Sequence, residues 1–501
     1  MNLSFRQAAG QLGQRSERVA RALSVHGALG LALAALLYLL ALSGVLSLFN
    51  HELQRWEQPG APEMQQIDAE AVARGAAASL AVQPERTAHL YINYPLPDLP
   101  RTVVTTDHGA HFIDAEGRLA GVEQFPWTQF LLDLHYYLHL PTLPGLTLVG
   151  ALGALLLALS LSGLLAHPRI FRDAFTLRRG AGRLTTVDLH NRLAVWSAPF
   201  HIVVALTGAM LGLATLLAIL LAGSGQADDV HAVFEPVFGE EHPVDLADAP
   251  LADLAAVQRA MQGEHSAVPL HYLIVHDPAT RGQQITAIGR PQDRLIFGEY
   301  YHFDTQGRFL GNTGLAQGKL SQQLAASIYG LHFGDWGGLP VKLVYALLGS
   351  LLAVVVASGP RIWLARQRAR GLARPRWESA WSGVLWGAPL ALAGSLLAAV
   401  SGVYAGWMLV VLFWVLLVVT ISWAAHAQDA VLVGHRLRLA TGCALLLGVL
   451  VHALRSDGDS LGSAGWAVSL CLVLTAVALL LPLRRSPLRQ RRPALDAQLD
   501  P

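Results

Sequence analysis

Histidine is the residue whose spacing in this chain invites chemistry. His26 precedes the pair Ser43-Gly44, and His190 precedes the pair Thr207-Gly208, each by 17 residues from imidazole to hydroxyl. His135 and His332 each follow a leucine, Leu134 and Leu331. They run on to Ser162-Gly163 and Ser358-Gly359 after 27 and 26 residues. Pro-Arg-Ile closes both stretches, at 168–170 and 360–362, and an Asp-x-x-Gly-Arg turn precedes both, at 114–118 and 304–308. The pattern reads as an internal repeat. It sorts the four histidines into two layers, His26 with His190 and His135 with His332. Two imidazoles facing each other across a helical bundle suit one haem iron, ligated axially from both sides. There is no Cys-x-x-Cys-His, so such a haem would be held without thioether links.

Seventeen residues of helix rise about 26 Å, most of a bilayer core of about 30 Å. Ser43-Gly44 and Thr207-Gly208 are therefore expected beside the His135/His332 layer, and Ser162-Gly163 and Ser358-Gly359 beside the other. Small residues there allow a flat ring or a second helix to come close. Two further histidines join the candidates. His201 lies 11 residues after His190, about 20° from the same helical face and about 16 Å deeper. It could be another haem ligand, a propionate partner or a proton relay, against a plain interhelical hydrogen bond. His139 lies four residues after His135, on the same helical face, so only one of the two is expected to be axial. The repeat favours His135. His51, His167, His426, His435 and His452 lack repeat partners and are expected at the membrane interface. Trp127, Tyr136, Tyr137, Trp336 and Tyr345 read as an aromatic belt or as a docking surface for a chelated ligand.

The elements that must position these residues follow from composition. The chain has 501 residues, 53% hydrophobic and 14% charged, with mean hydropathy +0.41. Soluble domains carry roughly a quarter charged residues, so a soluble globular protein and a disordered chain are both excluded. A net charge of +1 gives no electrostatic case for nucleic acid. Cys443 and Cys471 both fall in apolar runs, which leaves the polar segments without a disulfide framework or a thiolate zinc site. Apolar stretches near 28–49, 145–166, 195–222, 340–363, 381–400, 404–424, 437–453 and 463–482 are expected to cross the bilayer. Arginine clusters at 6–21, 169–192, 361–376 and 484–492 then lie on one side, cytoplasmic by the positive-inside rule, together with both termini.

The expected plan is a cytoplasmic tail and first span (1–51), a periplasmic α+β domain (52–143), and spans two and three with a basic loop (144–222). A second periplasmic α+β domain (223–338) and span four (339–366) follow. A basic connector (367–379), a four-span module (380–483) and a cytoplasmic tail (484–501) complete the chain. Strands are expected at Thr87–Tyr94 and Arg101–Thr106, and at His271–Val275, Gln284–Ile288 and Glu299–Phe303. The fold class is thus a polytopic α-helical membrane protein: a duplicated four-helix core, about four further helices and two α+β domains.

These features resemble a known family. The Leu-x-x-His-x-x-Leu-Gly opening at Leu23–Gly30, the Ser-Gly in the first span, the two Asp-x-x-Gly-Arg turns and the Leu-His steps at 134–135 and 331–332 are similar to those of PepSY-associated transmembrane proteins. That family includes iron-regulated bacterial inner-membrane proteins and ferric-siderophore reductases. The resemblance covers roughly residues 20–365. It implies PepSY-like periplasmic domains and two b-type haems, with His26, His190, His135 and His332 as candidate axial ligands. It also implies reduction of a periplasmic ferric siderophore or chelate. The spans after 380 depart from the pattern and leave the electron donor, a quinol or a cytoplasmic partner, open.

The function expected is therefore that of an inner-membrane dihaem electron-transfer protein, a ferric-chelate reductase that needs no acid–base or nucleophilic residues. Two rivals stand beside it. One is a non-enzymatic membrane protein whose PepSY-like domains bind or inhibit envelope peptidases. The other is an iron or siderophore transporter, which the scarcity of mid-span charge beyond His201 and Lys342 disfavours.

Overall fold

The structure, a computed structural model, describes residues 2–83, 85–165, 183–238, 245–291, 294–403, 405–456 and 462–482. The first half runs α1 (Asn2–Ser47), α2 (Asn50–Glu57), α3 (Ala69–Ala81), β1 (His89–Asn93), β2 (Thr102–Thr106), β3 (Gly109–Ile113), β4 (Leu119–Val122), α4 (Pro126–Tyr137) and α5 (Thr142–Leu165). The second half passes through a matching order. It comprises α6 (Arg183–Trp196), α7 (Ala198–Gly223), α8 (Val230–Phe238), α9 (Leu254–Glu264), β5 (Leu270–His276), β6 (Gln284–Gly289), β7 (Glu299–Phe303), β8 (Phe309–Asn312), α10 (Leu320–Phe333) and α11 (Gly338–Ala369). Four more helices follow: α12 (Pro375–Val400), α13 (Gly406–Ala427), α14 (Ala430–Arg455) and α15 (Ser463–Leu480).

Among the described residues, eight helices are long and apolar enough to cross a membrane: Val19–Ser47 within α1, then α5, α7, α11 and α12 to α15. The architecture is that of a polytopic helical membrane protein. Small residues allow a close crossing of α5 and α7. Gly150 and Gly153 of α5 lie against Gly212, Ala205 and Ala209 of α7, and an added Cβ at Gly150 would stand 2.8 Å from the Gly212 backbone. Without a hydrophobic driving force between helices in lipid, such close backbone approach is what gains packing energy.

The two polar segments build one sheet, not two. Its strand order is β4-β3-β2-β1-β5-β6-β7-β8, all neighbours antiparallel. Two four-stranded meanders join through β1 and β5, with Tyr91 opposite Ile274. The pairs Leu90 with Val275 and Ile92 with Leu273 are fully buried at that seam. α3 and α9 cover the same face and pack on each other, and Tyr94, just after β1, donates from Oη to Gln258 Oε1 of α9 at 3.1 Å. The Asp-x-x-Gly-Arg motifs are the turns before β4 and β8. Asp114 accepts from the Arg118 backbone N–H at 2.8 Å and its Nε at 2.7 Å, and Asp304 accepts from Arg308 at 2.8 and 2.6 Å. Gly117 (φ 80°) and Gly307 (φ 76°) hold the left-handed positions, where a Cβ would also strike Ala71 and Ala256 of the covering helices. These motifs are therefore turn chemistry.

The last four helices pack mainly against the first half, and α12 also meets α11, where Trp381 Nε1 donates to the Ala357 carbonyl at 3.1 Å. Tyr38 donates to the Leu385 carbonyl at 3.0 Å, Trp127 Nε1 to Ser395 Oγ at 3.1 Å, and Trp56 Nε1 to Ser469 Oγ at 3.0 Å. His452 stacks on Trp56 with ring centres 4.0 Å apart and donates from Nε2 to the Trp56 carbonyl. His452, in the last turn of α14, is buried where the C-terminal helices meet α2, because Trp56 offers both a ring face and an acceptor. Trp127, buried to 4% exposure, is no belt residue. His167 lies outside the described residues.

Candidate functional site

The four repeat histidines come together in two pairs. His135 and His332 have ring centres 6.2 Å apart, and His26 and His190 6.5 Å apart. Every one is held by the same tether. His135 Nδ1 donates to the Leu40 carbonyl at 3.1 Å and to Ser43 Oγ at 3.2 Å. His26 Nδ1 meets the Leu159 carbonyl at 3.0 Å and Ser162 Oγ at 3.2 Å. His190 Nδ1 meets the Val355 carbonyl at 3.1 Å and Ser358 Oγ at 2.7 Å. His332 Nδ1 meets Thr207 Oγ1 at 3.0 Å, and the Val204 carbonyl is its backbone partner. In each case the hydroxyl belongs to residue i of a span and the carbonyl to residue i−3.

A carbonyl only accepts, so Nδ1 carries the proton and Nε2 keeps its lone pair. That is the tautomer in which imidazole binds a metal, with the second nitrogen oriented by its hydrogen bond. Metal–nitrogen bonds of about 2.0 Å, with each ring centre about 1.2 Å beyond its nitrogen, put two axial imidazole centres roughly 6.4 Å apart. Both pairs match. Among the described residues no group of three His, Cys, Asp or Glu could hold a metal. Two imidazoles per site fill two positions and leave the others to a macrocycle, which is the donor set of a bis-histidine haem. The residues present fit the group.

The glycines beside the hydroxyls make room for these rings. A Cβ at Gly44 would stand 2.7 Å from His135 Cε1, at Gly208 2.9 Å from His332 Cε1, and at Gly163 3.1 Å from His26 Cε1, whereas at Gly359 it meets nothing within 4 Å. The close approach expected of a flat ring is made by the imidazole.

His135 and His332 sit on the short helices α4 and α10, not on the spans that follow. α4 ends with Leu138 (φ 54°) and His139 (φ 57°), and α10 with Gly334 (φ 64°). The reading of His139 on the same helical face as His135 is therefore corrected, because the helix has already stopped. Its Nε2 donates to the Phe130 carbonyl at 2.8 Å, and its ring lies against Phe130 and Phe413. His201 is 3% exposed, and its Nε2 has no hydrogen-bond partner among the described residues. The helix breaks at Ser197 between α6 and α7, so the straight-helix placement of His201 over His190 does not hold. His201 does not line the cavity described next, although Phe200 and Val204 do.

That cavity, of about 1000 Å³, surrounds the sheet-side pair. His135, His332, Gly44 and Gly208 form its floor region, Leu152 and Leu352 belong to its apolar wall, and Tyr136, Trp336 and Tyr345 line it as well. Toward the sheet it becomes polar. Lys342 Nζ lies 2.7 Å from Asp98 Oδ2 and 3.0 Å from Glu52 Oε1, and Arg290 makes a two-pronged pair with Asp335 at 2.9 and 3.0 Å. Burial alone would raise the Asp98 carboxyl, yet His51 and Lys342 beside it outweigh that and hold it well below the usual range. Burial, aided by the Arg290 guanidinium, holds His271 down at about 4, so this lining residue is neutral at pH 7.

One positioning residue gave no local signal. Glu57, at the end of α2, accepts from the backbone N–H of Trp127 at 2.9 Å and of Thr128 at 2.7 Å, and from Thr128 Oγ1. It caps the first turn of α4, the helix that presents His135. Burial pushes its carboxyl up to about 7 despite those three donors. Nothing in the sequence near residue 57 points 70 residues ahead.

A family described as PepSY-associated TM region matches residues 23–366. The chain belongs to that family. It is also 30% identical over 264 residues to an uncharacterized protein, PA4219, of Pseudomonas aeruginosa. That match covers 50% of this chain and 66% of the relative, just under two thirds of its length.

Proposed function

We propose that the chain is an inner-membrane electron-transfer protein that holds two b haems and reduces a ferric siderophore or similar ferric chelate in the periplasm. The observation that carries this reading is the fourfold tether: four imidazoles, each with its proton on Nδ1 by the same hydroxyl and carbonyl, paired at ring spacings of 6.2 and 6.5 Å. His135 with His332 would hold one haem, and His26 with His190 the other. The two halves would be duplicates, each carrying a PepSY-like domain of one helix and four strands. Arginine placement supports a cytoplasmic location for both termini and a periplasmic one for the sheet.

Bound haem supplies a one-electron centre, and two such centres stacked across the bilayer make a route between its faces. The chain's own part is to orient the imidazoles, raise their basicity through the Nδ1 bonds, exclude water with the apolar wall, and offer a mouth to the acceptor. Charges there are already paired, so the mouth is polar without strong net sign. Reduction of the bound iron to the ferrous state weakens its hold by hard oxygen ligands and releases it.

The test is an absorption spectrum of the purified full chain. A Soret band corresponding to two haems per chain is expected. No band in protein purified from haem-replete cells overturns the reading and leaves the peptidase-binding alternative.

A further inference from the structure

A second crevice, of about 390 Å³, lies where the C-terminal helices meet the core. Phe130, Asp133, Tyr137 and His139 line it from the first half, and Gly406, Trp407 and Val410 from the start of α13. Trp407 is 66% exposed in the first turn of a span, the level at which aromatic side chains meet the edge of a bilayer. The crevice therefore opens toward lipid. One wall is α4, the helix that carries His135.

His139 gives the crevice its chemistry. Its Nε2 proton is committed to the Phe130 carbonyl at 2.8 Å, so Nδ1 is a bare acceptor. That Nδ1 is buried and has no hydrogen-bond partner among the described residues. A buried acceptor without a donor is destabilising, and a ligand that brings an O–H removes the penalty. The Phe130 ring, 4.6 Å from that of His139, favours a flat apolar ligand. The Asp133 carboxylate in the same wall disfavours an anionic lipid headgroup.

We propose that this crevice binds the head group of a membrane quinol, one hydroxyl donating to His139 Nδ1. The proposal rests on the electron-transfer reading above and names a donor for it: the quinol pool meets the protein at the sheet-side centre, a side entrance to the route across the membrane. One quinol gives two electrons and two protons and becomes the quinone. One proton goes to His139 Nδ1 and the other to water at the crevice mouth. Two ferric acceptors each take one electron and become ferrous. The C-terminal helices then have a definite role, because α13 supplies half of the site.

The experiment uses the full chain in lipid nanodiscs, photolabelled with an azido-ubiquinone. Adducts are expected within 126–139 or 406–410, and excess decylubiquinone should suppress them. Two variants attack the site from opposite walls. His139→Asn tolerates the left-handed backbone but shortens the acceptor, and Val410→Trp fills the crevice without touching His139. Each should lower labelling about tenfold, His139→Asn by one lost hydrogen bond to the ligand and Val410→Trp by taking up the space for its ring. Reduction of the haems by decylubiquinol should slow to a similar degree, with haem content still two per chain. Adducts confined elsewhere, or undiminished in both variants, would overturn the proposal. A chain without haem would sink the electron-transfer reading instead, while the labelling would still decide whether the crevice takes a quinol.

Discussion

The two histidine layers share a tether and differ in the elements that carry the rings. The sheet-side pair stands on short helices that end in left-handed turns, inside a cavity with a charged mouth. The far pair stands on long helices, with Leu23, Val25 and Leu189 exposed close by in sequence. The tether hydroxyls thus belong to the spans in both layers, and the cavity mouth belongs to the sheet-side elements. The sharpest way to break this contrast is to remove ligands. His135→Ala or His332→Ala should cost about half the Soret absorbance and abolish reduction of an added ferric chelate. His26→Ala or His190→Ala should cost the same absorbance, yet leave the sheet-side centre reducible by dithionite and reoxidised by the chelate. Equal loss of chelate-driven reoxidation in all four variants would erase the distinction.

A smaller perturbation tests the rings' fit. An alanine methyl at Gly44 or Gly208 would fall 2.7 or 2.9 Å from the Cε1 of its histidine, and one at Gly163 3.1 Å from His26. Overpacking of this kind costs about 1–3 kcal/mol, enough to weaken ligation some 5- to 150-fold. Haem retention should therefore fall most in Gly44→Ala and Gly208→Ala and less in Gly163→Ala. Gly359→Ala, with open space at the Cβ, should retain both haems. Quantifying haem after extended dialysis gives the ranking, and a loss in Gly359→Ala as large as in Gly44→Ala would refute it.

The histidines, the hydroxyls and their pairing in layers were legible in the sequence because the same residue types recur twice at nearly equal spacing. The eight spans were legible from run length. Five strands were read near their observed places, but β3, β4 and β8 were not, because each carries a glycine and few β-branched residues, and β4 and β8 are only four residues long. The β1–β5 seam was invisible because it joins segments about 180 residues apart, for which no local pattern exists. His139 was misplaced because a left-handed turn at two non-glycine residues, Leu138 and His139, has no sequence signal of its own. The cavity mouth escaped for the same reason as the seam: Glu52, Asp98 and Lys342 meet only once the sheet is docked on the spans.

Removing a tether hydroxyl sharpens the comparison further. Ser43→Ala, Thr207→Val, Ser162→Ala and Ser358→Ala each leave the carbonyl acceptor in place, so the haem stays. The imidazole loses basicity, and the ferric state loses stabilisation. A hydrogen bond of about 0.5–1.5 kcal/mol corresponds to roughly 20–60 mV for one electron, toward higher potential. Ser358, at 2.7 Å, should give the largest shift, and Ser43 and Ser162, at 3.2 Å, smaller ones. Redox titration reads each centre separately, and a downward shift would contradict the tether's role.

The mildest test concerns the cap that supports only the sheet-side layer. The Glu57 carboxyl is pushed up to about 7, against about 4.3 for an unperturbed glutamate. Below pH ~4.3 both folded and unfolded chains hold the proton, and the group has no effect on the slope. Between ~4.3 and 7 the folded chain keeps a proton that the unfolded one has released, so each step upward in pH costs stability, and the loss is complete above 7. Glu57→Gln removes this slope and keeps one acceptor oxygen for the first turn of α4. Its thermal midpoint should vary less with pH than that of the wild type across that window. Retention of the haem between His135 and His332 should follow the same flattening, and that between His26 and His190 should not. A wild-type midpoint that rises from pH 5 to 7 as a result of this residue would mean that the three donors, not burial, set its charge.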